Sequence, residues 1–96
     1  MASVNPIFAV QLHYDEEGDV LYASVDKPRQ ALSFEVDTDI LLRYVPPDPT
    51  TIGITILGFR GHYPCPLDTP LLDHARHVVS RLLEQYPQVP KDDDLL

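Results

Sequence analysis

The chain has 96 residues, 44% of them hydrophobic, and its 7 basic and 15 acidic side chains leave a formal net charge of −8. These figures describe one small folded domain rather than a disordered chain. The charge disfavours nucleic acid and anionic membrane surfaces as partners, and no apolar run approaches the roughly 18 residues of a membrane span.

Phe8, Val10, Leu12 and Tyr14 alternate with Ala9, Gln11 and His13, so residues 7–14 predict a strand. Asp15-Glu16-Glu17-Gly18-Asp19 suits a type I turn closed by a glycine with positive φ, and residues 20–26 return as the second strand. With Asp15 opposite Asp19, Tyr14 faces Val20, Leu12 faces Tyr22, His13 meets Leu21 and Ala9 meets Val25. Both faces of that hairpin are then partly apolar, and one layer of cover does not suffice. His13, Leu21, Ala23 and Val25 are therefore the expected contacts of a homodimer, formed through this face or through an edge strand.

After the loop at Lys27-Pro28-Arg29-Gln30, residues 31–37 alternate cleanly, with Leu32, Phe34 and Val36 inward and Ser33, Glu35 and Asp37 outward. Thr38-Asp39 turns the chain into a fourth strand over residues 40–45. Pro46-Pro47-Asp48-Pro49 is expected to stop it, because proline gives no ladder donor. Residues 51–59 form the fifth strand, where Gly53 and Gly58 suggest a bulge or a close backbone approach. Residues 60–68 read as a loop. Leu71, Leu72, Ala75, Val78, Val79, Leu82, Leu83 and Tyr86 then recur at helical spacing, with Thr69 as N-cap, Pro70 as the first helical residue and Pro87 as the stop.

The pattern predicts an α+β fold: a five-stranded antiparallel β-meander with one C-terminal amphipathic helix packed on one face. Residues 1–90 make a single domain and residues 91–96 a flexible acidic tail. The first six residues lack the basic start and apolar core of a signal peptide. The single Cys65 permits no intrachain disulfide, so a cytoplasmic setting is expected.

Few residues suggest chemistry. The carboxylates of the Asp15–Asp19 turn suit a hard cation but lack the spacing of a calcium loop, and acids with glycine are also what an exposed turn wants. His74 and His77, three apart on a helix, have the spacing of zinc ligands, with His62, Cys65 or Asp73 as a third; two histidines are as readily plain polar-face residues. Cys65 near His62 has the elements of a nucleophile pair, but no activating helix N-terminus or oxyanion motif accompanies it. No catalytic residue and no cofactor is expected.

The stretch Leu12-His13-Tyr14-Asp15-Glu16-Glu17-Gly18-Asp19-Val20-Leu21-Tyr22 resembles the opening signature of the bacterial family called domain of unknown function 2283. There a Tyr-Asp, an Asp four residues on and a Leu-Tyr recur. Gly53-Ile54-Thr55-Ile56-Leu57 is similar to the family's later Gly-Ile-Glu-Ile-Leu strand. On this resemblance the signature residues are Tyr14, Asp15, Asp19, Leu21, Tyr22, Gly53 and Ile54, within about residues 10–60. Gly18, Thr55 and the Pro46–Pro49 loop depart from the pattern, and the helix and tail lie outside it. The resemblance implies a small β-rich fold with no assigned activity, and an antitoxin-like or accessory role because some relatives lie beside toxin-like genes.

The functional expectation is a non-enzymatic, homodimeric protein-interaction or accessory module. Eight acids between residues 13 and 39, against Lys27 and Arg29 alone, suit a basic protein partner. The alternative is a metal-binding protein or small enzyme that uses the acidic turn or the His and Cys residues of the C-terminal third.

Overall fold

A computed structural model describes residues 10–25 and 29–90. Five strands, β1 (Val10–Asp15), β2 (Val20–Val25), β3 (Leu32–Asp37), β4 (Ile40–Val45) and β5 (Asp48–Leu57), precede a single helical turn, α1 (Phe59–His62), and the amphipathic helix α2 (Leu71–Gln85). The sheet is antiparallel, and α2 is the C-terminal helix, so the expected α+β class holds. The expected tail at 91–96 and the Ala9 pairing lie outside the described residues.

The strand order is β1-β2-β5-β4-β3. This is a β1-β2 hairpin joined to a β3-β4-β5 meander by pairing of β2 with β5, not a run of neighbours in sequence order. Alternation along a strand states which side chains share a face and not which strand lies alongside. Central β5 carries Ile54 and Ile56, almost fully buried, between Leu21 and Ala23 of β2 and Ile40 and Leu42 of β4. The edges are β1 and β3.

The first hairpin corrects the expected register. Asp15 pairs with Val20 and Tyr14 with Leu21, one residue away from the predicted alignment. The left-handed residue of the turn is Asp19, at φ 54°, and not Gly18. Asp19 therefore belongs to a four-residue loop, and the side-chain period of two turns that single step into an exchange of faces along β2. Leu21, Ala23 and Val25 join Val10, Leu12 and Tyr14 on the helix side. Leu21 and Ala23 are buried in the chain's own core, and Val25 packs partly buried against it. These three expected dimer contacts are thus interior side chains, and only His13 stays exposed on the opposite face.

The prolines stop β4 at Val45 as expected, but they do not delay β5. Pro46 and Pro47, joined by a cis peptide bond, form a two-residue turn where no ladder donor is needed, so β5 starts at Asp48 instead of residue 51. Gly58, left-handed at φ 63°, ends β5 and starts α1 where a loop was expected. Helix α2 begins one residue late, with Pro70 and not Thr69 at the N-cap position and no side-chain cap. Its Ala75, Val78, Val79 and Leu82 are buried on the sheet, whereas Leu72 of the predicted stripe is 49% exposed. After the helix, the chain docks on the start of β5: Thr51 N–H donates to Pro87 O (3.1 Å) and Val89 N–H to Pro49 O (2.7 Å).

Candidate functional site

The densest polar assembly lies where β5 passes into α1. The turns of the two flanking hairpins each place a left-handed aspartate there, Asp19 (φ 54°) and Asp39 (φ 64°). Aspartate tolerates this conformation better than most residues. The two backbone carbonyls grip the exit of β5 from either side: Phe59 N–H donates to Asp19 O at 3.0 Å and Leu57 N–H to Asp39 O at 2.9 Å.

The side chains tighten that grip. The Tyr14 hydroxyl donates to Asp19 Oδ1 at 2.6 Å, and the Arg60 amide donates to both carboxylate oxygens at 3.0 and 3.2 Å. The Tyr14 hydroxyl, the Arg60 amide and the Gly61 amide all favour the ionised form and hold the Asp19 carboxyl below the ordinary aspartate range. The same bond, aided by partial burial, raises the Tyr14 phenol above its ordinary value. The Arg60 guanidinium sits 5.6 Å from the Tyr14 ring centre. Across the strand end, His62 Nε2 meets Asp39 Oδ2 at 2.9 Å, with both side chains about 40% exposed; such a pair contributes little to stability. Beneath the polar layer, buried Phe59 contacts Tyr14, Tyr63 and His74, with ring centres 6.1, 5.9 and 5.8 Å away.

This geometry holds the chain together more than it offers reactive groups. A carboxylate already accepting from a hydroxyl and backbone amides is a weak base, and its lone pairs are largely taken. Asp15 Oδ1 accepts the Gly18 amide at 3.3 Å, which bends the turn. His74 Nε2 lies 2.9 Å from Tyr63 O, half-buried under the rings, while His77 points outward near Asp73 and Arg81. The candidate His74–His77 pair is therefore split between an inward and an outward side chain. His62 turns to Asp39 and Cys65 donates to Thr69 O at 3.2 Å, so the Cys65–His62 pair weighed and set aside in the sequence does not form. Among the described residues, no three His, Cys, Asp or Glu side chains converge as a metal site.

The signature residues divide into four roles. Tyr14, Asp15 and Asp19 shape and anchor the turn; Leu21 and Ile54 fill the core; Tyr22, 41% exposed, stacks on His13 on the open sheet face. Gly53 is the close approach the sequence suggested, since a Cβ there would lie 2.9 Å from Ala23 O. Sequence reasoning missed Asp39, Phe59, Arg60 and His62 as members of this cluster. The available signal was the repetition of a turn-ending aspartate in both hairpins, together with Gly58-Phe59-Arg60 after the fifth strand.

A pH dependence follows from Asp19. Its folded-state carboxyl is depressed, so the clamp's contribution is complete above the ordinary aspartate range and is lost as pH falls through the depressed value. The stability difference between the wild type and Asp19→Gly, from urea unfolding, is expected to shrink as pH falls through that window. A constant difference would contradict the assignment. The carboxylate is solvent-accessible, so the effect is modest and weakened by salt.

Residues 11–60, covering the hairpin, the remaining strands and the start of α1, match the family model described as Protein of unknown function (DUF2283). No curated protein and no solved structure matches the chain significantly.

Proposed function

The chain belongs to the DUF2283 family, and from that premise we propose that it is a non-enzymatic interaction module that works as a homodimer. The observation that carries this reading is uneven cover of the core. Burial is nearly complete for Leu21 and Ala23 of β2, Ile54 and Ile56 of β5 and Ile40 and Leu42 of β4, beneath a helix that approaches the β1 side and whose Arg76 Nη1 donates to Val10 O at 3.0 Å. Toward β3 it falls away, and Leu32 is left 54% exposed beside half-buried Phe34 and Val36. The support for a dimer thus moves from β2 to the other side of the sheet. The Asp19 and His74 polar groups, engaged within the fold, add weight against an enzyme.

Sedimentation equilibrium tests the reading. A mass twice the 10.8 kDa of one chain is expected at micromolar concentration. A monomer persisting to about 100 μM, beyond which an association has little biological force, would overturn it.

A basic protein partner is a second reading, favoured by the acidic hairpin turns lying side by side around the end of β5. It fits an accessory or antitoxin-like role. Binding to a lysine-rich peptide that weakens steeply with salt is expected under it.

A further inference from the structure

We infer that the second copy docks edge to edge, β3 against β3, in antiparallel register with Phe34 on the two-fold axis, a proposal that rests on the homodimer reading. The two sheet edges differ. At β1, Arg76 of α2 covers the Val10 carbonyl. At β3, no described strand or helix lies alongside the outer side, and the strand is the sheet's outermost on that flank. An unpaired strand edge is a template for another strand. Its side chains select the register. Pairing Phe34 with its symmetry mate sets Leu32 against Val36, so the apolar side chains that the helix leaves uncovered form one row shared by two copies.

Charge selects the same alignment. On the opposite face, Glu35 meets Ser33 of the second copy, and Asp37 falls beyond the paired core, opposite Ala31. Moving the axis to Glu35 would set two carboxylates directly against each other, in a protein that already carries −8 per chain. Moving it to Ser33 would leave Val36 outside the apolar row. The register shift between Glu35 and Asp37 places the irregularity at Val36 itself, so regular pairing with β4 ends at Glu35; the bend there limits the contact to a short segment and discourages open-ended sheet growth. Like strands meeting across a two-fold axis also give a closed assembly.

Single cysteines placed from 32 to 36 in a Cys65→Ser background test the register. Mild oxidation is expected to yield a covalent dimer at Phe34→Cys at least tenfold faster than at Ser33→Cys or Glu35→Cys, because only position 34 faces itself. Phe34→Glu is expected to raise the dimer dissociation constant at least tenfold with an unchanged far-UV circular dichroism spectrum. If the wild type is dimeric but cross-links fastest at another position, such as Tyr22→Cys on the open face, the β3 interface is overturned and the homodimer reading stands. If the wild type is monomeric, both fall.

Discussion

Phe59→Ala is expected to remove about 3–5 kcal/mol of folding stability, the usual result of deleting a fully buried phenylalanine. Phe59 has no exposed surface and touches rings from three directions: Tyr14 of β1, Tyr63 after α1 and His74 of α2. Its backbone amide is also the donor gripped by Asp19. The ring therefore ties the first hairpin, the end of the sheet and the helix into one unit. A domain of this size has roughly 5–15 kcal/mol of stability in all, so the loss approaches unfolding at physiological temperature. Urea denaturation checks it, and a loss under 1 kcal/mol would show that the three elements do not depend on this contact. Phe59→Leu keeps apolar volume and is expected to lose clearly less.

Gly53→Val is expected to cost about 1–3 kcal/mol by overpacking. A Cβ at this position would stand 2.9 Å from the Ala23 carbonyl oxygen and 3.3 Å from Arg43 Cβ and Cγ. The arginine stem has some room to shift, but the carbonyl belongs to the adjacent strand of a five-stranded sheet and has little. Widening the β2–β5 spacing would loosen the one pairing that joins the hairpin to the meander. Gly61→Ala is the control: nothing lies within 4 Å of a Cβ there, and a change within about 0.5 kcal/mol is expected. Thermal melts of the two variants separate a steric role for Gly53 from a general sensitivity to losing glycine.

The strands and the long helix were legible because alternation and three-to-four spacing report local geometry directly. Phe34 and Val36 pack against the core as their period required, although Leu32 of the same row is left 54% exposed, and Ala75, Val78, Val79 and Leu82 bury as the helical stripe required. Connectivity was less legible, since nothing in the pattern of β2 distinguishes β5 from β3 as its neighbour. The decisive misreading was one residue long. Gly18 was the natural choice for a left-handed turn position, yet Asp19 takes it, because its carboxylate and carbonyl both find donors around residues 59–61, forty residues away. A long-range contact overruled a local preference, and the faces of β2 exchanged with it. The candidate site was half legible for the same reason: the signature marked Tyr14, Asp15 and Asp19, but their partners lie beyond the reach of local spacing.

The family signature on this account describes how a hairpin is fastened to the end of a sheet. Asp19→Gly tests that most directly, because glycine accepts the left-handed conformation at φ 54° and the substitution removes the carboxylate alone. Amide hydrogen exchange read at Arg60 and Gly61, alongside the melting temperature, is the measurement. A fall in melting temperature with loss of protection at those two amides is the predicted result; unchanged melting with unchanged protection would contradict a structural role for the signature aspartate.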